Sequence, residues 1–140
     1  MKAYDVMSVD IVAAKEDAKV IEISTRIVLE GYNGMPIIDD RGVVIGIVTT
    51  LDILKAIKDN KNLDELSAKD IMTRHPATLS QEATTNEIID IMHRKGIDMI
   101  PIVSGEEEER RLIGVVSRQD ILKERLNERF VSIGKGLTTI

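Results

Sequence analysis

Two segments of the chain place a hydroxyl three residues before a carboxylate. They read GIVTTLDI and GVVSRQDI, so the pairs are Thr49 with Asp52 and Ser117 with Asp120. Both groups can bond to a polar ligand. The same spacing is also that of a capping box, in which the two side chains satisfy backbone N–H groups at the start of a helix. Both roles place each pair at a helix N-terminus.

Residue sets for enzyme chemistry are scarce in the rest of the sequence. There is no cysteine, and the two histidines, His75 and His93, cannot build a metal site alone. We find no nucleophile motif, phosphate-binding glycine loop or dinucleotide fingerprint. The adjacent carboxylates Asp39 and Asp40 precede Arg-Gly and are typical of a turn. We therefore expect a non-catalytic protein with no metal and no covalent cofactor.

Composition and charge narrow the possible partners. The chain has 140 residues, a net charge of −5 and only three aromatic residues, Tyr4, Tyr32 and Phe130. An acidic chain with few aromatic rings is poorly suited to nucleic acid, which needs clustered basic groups or stacking platforms. No apolar run is long enough for a membrane span, and no signal peptide is evident. We expect a soluble, cytoplasmic protein that binds neither nucleic acid nor membrane.

The chain repeats itself. The segment AYDVMS, which begins at Ala3, returns as AKDIMT at Ala68, a shift of 65 positions. The shift of 65 still relates Pro36 to Pro101, but the segment that begins at Gly46 returns at Gly114 with a shift of 68. Three residues were therefore added between Pro101 and Gly114. The charged run over residues 104–111 is the obvious place for them, and it reads as a hairpin loop. We call AYDVMS and AKDIMT the leading segments.

Each repeat has the same predicted order of elements. An amphipathic helix ends at a glycine, a β-hairpin follows, and a second helix begins at the hydroxyl of the box. Thr84 begins a capping-box pattern for the first helix of the second repeat, whereas Lys19 occupies the matching position of the first repeat. The predicted first helices cover residues 17–30 and 84–95, the first hairpin covers 35–48, and the second helices run from 49 to 58 and from 117 to 126.

This arrangement resembles the CBS (cystathionine-β-synthase) repeat, and two copies resemble a Bateman module. The resemblance rests on the two G-h-h-[ST]-x-x-D-h segments, the h-P-h-h strands, the leading segments and their duplication. It covers residues 3 to about 126, nearly the entire chain, and implies a protein that consists of the pair. The expected architecture is α+β, a pseudo-twofold pair whose small sheets pack together with helices outside.

The resemblance also implies a ligand, an adenine nucleotide or adenosyl compound such as AMP, ADP, ATP or S-adenosylmethionine, held in the cleft between the repeats. The aspartate would accept from the ribose hydroxyls, while the hydroxyl and the first helical N–H groups would face phosphate. The implied nucleotide-binding residues are Ala13, Thr49, Thr50, Asp52, Pro76, Ala77, Thr78, Ile100, Pro101, Ser117, Arg118 and Asp120.

The second repeat is predicted to supply the better site. Pro76-Ala77-Thr78 fits the family's Pro-x-Thr pattern beside adenine, whereas the first repeat has Ala13 in place of the threonine. Arg118 is placed to meet phosphate with a bidentate fork, and Thr50 occupies the matching position.

The leading hypothesis is a ligand-sensing regulatory module acting on an unidentified target protein. The alternative is a ligand-free module of the same fold that serves dimerisation or protein interaction. Either form is expected to be a homodimer, with residues 1–62 and 63–126 as the two repeats. Residues 127–140 form a tail whose two glycines predict that it does not continue the preceding helix.

Overall fold

The computed structural model describes residues 1–106, 109–126 and 136–137. The predictions for the tail, and for the centre of the 104–111 loop, fall largely outside this part of the chain. In chain order the elements are α1 (Ala3–Val6), α2 (Val20–Glu30), β1 (Gly34–Ile38), β2 (Val44–Thr49), α3 (Thr50–Lys58), α4 (Ala68–Ile71), β3 (Thr73–Arg74), β4 (Leu79–Ser80), α5 (Thr85–Lys95), β5 (Met99–Ser104), β6 (Arg111–Ser117) and α6 (Arg118–Leu126). The predicted α+β class and duplicated order are confirmed.

The structure has two three-stranded sheets, and each one pairs with a segment from the other repeat. Their orders are β1-β2-β3 and β4-β5-β6, with antiparallel hairpins β1-β2 and β5-β6. Strand β3 belongs to the second leading segment but pairs with β2 of the first repeat, where Thr73 faces Ile47. In return, the Ser8 N–H donates to the Val115 carbonyl at 2.9 Å, and the Val115 N–H donates to the Ser8 carbonyl at 3.0 Å. Each leading segment therefore joins the sheet of the other repeat.

Two glycines make this exchange possible. A Cβ on Gly114 would lie 2.6 Å from Met7 Sδ and 3.0 Å from the Ser8 carbonyl oxygen. A Cβ on Gly46 would lie 2.6 Å from the sulfur of Met72, the counterpart of Met7. A β-carbon at these positions would collide with the neighbouring leading segment, so both strands need glycine there.

The hydrophobic cores show the same exchange. Ala68 and Met72 of the second leading segment pack among the buried residues of the first repeat. Ala3, which is fully buried, packs with Ile88 and Ile100 of the second repeat. A third cluster of Ile47, Met99 and Val115 joins the two sheets. The packing units consequently differ from the sequence repeats by the exchange of residues 3–8 and 68–73.

The starts and ends of the long helices follow their predicted signals. The Thr84 hydroxyl accepts from the Glu87 N–H at 3.1 Å, but among the described contacts Glu87 makes no return bond to Thr84, so half of the predicted capping box forms. No side chain caps α2 at Lys19. Gly31 and Gly96 end α2 and α5 with φ of 71° and 61°, the left-handed conformation expected of a C-cap glycine. Helix α2 begins at Val20, three residues later than predicted, because residues 15–19 form turns and backbone bonds to the second leading segment.

Asp39 is a turn former, as its sequence context predicts. Its Oδ1 accepts from the backbone N–H groups of Arg41 at 2.8 Å and Val43 at 3.0 Å. Desolvation alone would raise the pKa of Asp39, but these bonds and the Arg41 guanidinium lower the pKa below its usual value. The hairpin between β1 and β2 thus uses the carboxylate as a structural acceptor.

Exchange of the leading segments can be tested with a double-mutant cycle on Gly114 and Met7. We expect Gly114→Ala to destabilise the protein by about 1–3 kcal/mol, because the new methyl group meets the Met7 sulfur. Removing that sulfur relieves the collision. Gly114→Ala with Met7→Ala should therefore be more stable than the sum of the single changes by at least about 0.5 kcal/mol. Urea unfolding measures all four proteins.

The matched control pairs Gly114→Ala with Met72→Ala, because Met72 packs on Gly46 instead. These two changes should add within about 0.5 kcal/mol. Equal coupling of Gly114 to both methionines, or to neither, would contradict the exchange.

Candidate functional site

A cleft of about 420 Å³ lies between the two repeats. Three groups of residues surround it. The chain just after α1 contributes Ser8 and residues 10–12, and the turn between α2 and β1 contributes residues 31–34. The second repeat contributes Ser117, Gln119, Asp120 and Lys123 from the end of β6 and the start of α6. The cleft therefore combines the first repeat's leading region with the second repeat's hydroxyl-carboxylate pair.

Apolar side chains from both sheets and from the segment after α1 also line the cleft. They are Ile11, Val12, Pro36, Met99 and Val115. Met99 and Val115 are 7% and 8% exposed and belong to the cluster that joins the sheets. The cleft therefore has an apolar lining in contact with the packed core, while its polar groups come from the start of α6, the segment after α1 and the turn at residues 32–33.

Ser117 and Asp120 form a capping box. The Ser117 N–H donates to Asp120 Oδ2 at 2.8 Å, and the Asp120 N–H donates to Ser117 Oγ at 3.2 Å. The matching bonds in the first repeat, between Thr49 and Asp52, have the same lengths of 2.8 and 3.2 Å. The capping role is thus realised at both helices, and it fixes the carboxylate of Asp120 at the cleft.

Arg118 points to a different partner from the one predicted. Its Nη1 lies 3.1 Å from Asp98 Oδ1, and its Nε donates to the Ile97 carbonyl at 3.2 Å. The guanidinium does not line the Asp120 cleft. By the repeat relation, Ile97 and Asp98 match Tyr32 and Asn33, so Arg118 contacts the counterpart of the turn that lines the cleft. The predicted fork facing the Asp120 ligand is absent from this arrangement.

The Pro76-Ala77-Thr78 segment does not face Asp120. Thr78 lines a separate cavity of about 350 Å³ beside the β5–β6 loop. From the sequence, residues 76–78 are predicted to lie beside the start of α6. In the structure, Ser8 and residues 10–12 of the first repeat lie at the cleft with that helix start instead. The cause is the exchange of leading segments, which a linear comparison of repeats does not show.

The remaining predicted residues are not among those that line the cleft. Ile100 and Pro101 are fully buried in the second sheet. Ala13 is half-buried and follows the lining residue Val12. The Thr50 N–H donates to the Asn33 carbonyl at 3.2 Å, and Thr49 and Asp52 form the capping box of α3. Of the twelve predicted residues, Ser117 and Asp120 line the cleft.

Six polar lining residues escaped the sequence reasoning: Ser8, Asp10, Tyr32, Asn33, Gln119 and Lys123. Two signals could have found some of them. Lys123 follows Asp120 by three residues and so shares its helix face. Tyr32 and Asn33 lie between the capping glycine and the h-P-h-h strand, a turn that repeats in both halves.

Among the lining residues that the structure describes, the charged groups are two carboxylates and one ammonium group. The negative charges of Asp10 and Asp120 and the positive charge of Lys123 give a formal net charge of −1. Within the described ranges, no group of three or more potential metal-ligating side chains occurs. No helix in the described part of the chain is both long and apolar enough to cross a membrane.

The family model of the CBS domain matches residues 3–59 and 68–127. The chain belongs to the CBS-domain family. Uncharacterized protein MK0525 of Methanopyrus kandleri is 32% identical over 115 residues, which are 81% of this chain and 57% of that protein. Inosine-5′-monophosphate dehydrogenase of Methanocaldococcus jannaschii is 30% identical over 124 residues, 89% of this chain and 23% of that enzyme. The chain thus spans less than two thirds of either relative.

The solved structures include a similar CBS domain pair. The pair of protein MJ0100, in complex with 5′-methylthioadenosine and S-adenosyl-L-methionine, superposes with a TM-score of 0.80 at 26% identity. The match covers 92% of this chain and 98% of that one. The tandem-repeat fold predicted from the sequence is therefore confirmed.

The structural share of the Ser117–Asp120 box can be measured without any ligand. We expect Ser117→Ala to destabilise the protein by about 0.5–2 kcal/mol, because it leaves a helical N–H of α6 without its acceptor. Ser24→Ala is the matched control, since the Ser24 hydroxyl bonds to the Val20 carbonyl inside α2 at 2.7 Å and caps nothing. Alanine is a better helix former than serine, so the control should be neutral or stabilising. Equal urea midpoints for the two variants would argue against the cap.

Proposed function

We propose that this CBS pair is a regulatory module that binds an adenosyl compound in the Asp120 cleft. One observation carries the proposal. The cleft combines a carboxylate that the capping box holds in place, that of Asp120, with apolar side chains from both repeats. Its volume of about 420 Å³ lies in the range of small-molecule sites, which combine apolar walls with a few polar groups.

Asp120 suits a ribose. The Ser117 N–H holds Oδ2, and no described residue donates a hydrogen bond to Oδ1. A carboxylate oriented in this way can accept from ribose hydroxyls in charge-assisted bonds. Its capping role and its proposed ligand role are compatible, because they use different lone pairs.

The apolar wall suits a purine. Ile11, Val12 and Met99 offer aliphatic and thioether contact to a flat ring, and methionine sulfur is a favourable neighbour of aromatic systems. Tyr32 and Asn33 bring hydrogen-bonding groups to the same turn. The similar pair of MJ0100 carries two adenosyl ligands at 26% identity, which supports the same ligand class here.

Binding in this cleft is expected to change the relative arrangement of the two repeats, because both repeats supply lining residues. A ligand that touches the leading region of the first repeat and α6 of the second stabilises the arrangement in which they are close. The module would pass this change on to a target protein or domain that it regulates. The dehydrogenase relative shows that a similar sequence occurs within a longer enzyme.

Replacing the ribose-binding carboxylate should weaken binding selectively. We expect Asp120→Ala to lose roughly 10- to 150-fold in affinity for 5′-methylthioadenosine or adenosine, since bonds to a charged acceptor contribute about 1.5–3 kcal/mol. Asp52→Ala is the matched control, because it removes the same capping box from α3. Titration calorimetry on nucleotide-free protein measures affinity, and urea unfolding verifies that both variants remain folded.

Equal losses of affinity in the two variants would contradict the assignment to the Asp120 cleft. Wild-type protein that gives no heat with any adenosyl ligand at millimolar concentration would refute the sensing function. The alternative, an assembly module of the same fold, would then stand.

A homodimer belongs to either form of the proposal. Helix α3 exposes Leu51, Leu54 and Ile57 by 73%, 59% and 51%, and their spacing places them on one side of the helix. Val28 and Leu29 at the end of α2 are 78% and 75% exposed. Apolar groups in such number on neighbouring helices suit a self-complementary twofold interface.

Charge on this surface should separate the protomers. We expect wild-type protein to scatter light with twice the chain mass of 15.6 kDa at tens of micromolar concentration. Leu54→Asp should shift the mass to that of the monomer, because an unpaired carboxylate is costly to bury at an interface. Val9→Asp is the control, since Val9 is 68% exposed but lies outside the helices. A monomeric wild type, or an equal response of both variants, would refute this interface.

A further inference from the structure

We infer that the Asp120 cleft selects adenosyl ligands whose 5′ substituent is uncharged or cationic, and that Asp10 discriminates against a 5′ phosphate. The inference rests on the proposed adenosyl-binding function.

The backbone donors at the start of α6 are largely occupied. A helix N-terminus attracts phosphate because its first N–H groups have no partner. Here the Ser117 N–H donates to Asp120, the Asp120 N–H donates to the Ser117 hydroxyl, and the Arg118 N–H donates to the Asp98 carbonyl at 3.0 Å. A phosphate at this position would have to compete with bonds that the fold already makes.

Arg118 is occupied in the same way. Its guanidinium bonds to the Asp98 carboxylate and the Ile97 carbonyl, at 3.1 and 3.2 Å, outside the lining of the cleft. The side chain best suited to bidentate phosphate binding is therefore used by the α5–β5 turn. Turning it toward the cleft would leave the Asp98 carboxylate without this partner.

The remaining charges favour a neutral or positive group. Lys123 is the one cation among the described lining residues, and it follows Asp120 by about one helical turn. Asp10 adds a second negative charge from the leading region of the first repeat. A phosphate monoester carries about 1.5 to 2 negative charges at neutral pH, so both carboxylates repel it. A thioether avoids this repulsion, and a sulfonium gains attraction.

The two repeats differ at this position, which makes the preference specific to one cleft. His75 follows the second leading segment at the position that Asp10 has after the first. Asp10 therefore has no carboxylate counterpart in the second repeat, so this negative charge is specific to the Asp120 cleft. Asp10 is exposed, so salt should screen its effect.

The test compares ligands that share adenosine and differ at the 5′ position. Calorimetry at low ionic strength with 5′-methylthioadenosine, S-adenosylmethionine, AMP and ATP should show tighter binding of the first two. Asp10→Asn should raise the ratio of AMP affinity to 5′-methylthioadenosine affinity by roughly 3- to 10-fold, and the gain should shrink at high salt. Asp64→Asn is the matched control, because Asp64 is an exposed acid outside the cleft lining and its replacement changes the net charge equally.

The outcomes separate the inference from the function it rests on. If AMP or ATP binds more tightly than 5′-methylthioadenosine, or if Asp10→Asn and Asp64→Asn change the affinity ratio equally, the selectivity is refuted and adenosyl binding stands. If no adenosyl compound binds, both are refuted together. Preference for the uncharged and sulfonium ligands, lowered by Asp10→Asn alone, supports the inference.

Discussion

The exchange of leading segments is the interaction on which the rest of this structure depends. A single pair of backbone bonds between Ser8 and Val115, with its counterpart between Thr73 and Ile47, ties each repeat to the sheet of the other. Glycine in the receiving strand lets a methionine sulfur pack directly on the backbone. Neither repeat completes its core without the other, because the first residues of each are buried in its partner. The cleft is a consequence, since it forms where an exchanged segment runs past the start of α6.

A second consequence concerns the hydroxyl-carboxylate pairs. Sequence reasoning leaves two roles open for them, a helix cap and a ligand contact, and the geometry makes the cap real at both helices. Capping also determines what else the segment can do. Once the box and the backbone turn have taken the first N–H groups, the helix start offers a fixed carboxylate oxygen more readily than a set of anion donors. This geometry is the physical basis of the proposed preference for a sugar over a phosphate.

Pseudo-symmetry of the fold does not imply equal chemistry in the two halves. The hydrogen bonds of the two capping boxes agree in length, yet the residues around them differ. Asp10 corresponds to His75, and Asn33 corresponds to Asp98, which holds Arg118. Backbone geometry is conserved between the repeats because strand pairing and glycine contacts demand it. Side chains at the cleft are free of that demand, so the two sites can diverge in ligand preference.

Local signals in the sequence were sufficient for the elements. Periodicity, the glycine caps at Gly31 and Gly96, and the turn at Asp39 gave helices and hairpins within a few residues, because each depends on neighbours along the chain. The duplication also determined the family and the two helix starts at Thr49 and Ser117. Tertiary structure alone decided which leading region meets which helix, and whether Arg118 faces the cleft. Both depend on contacts between distant residues, namely strand exchange and the ion pair with Asp98, for which no local pattern exists.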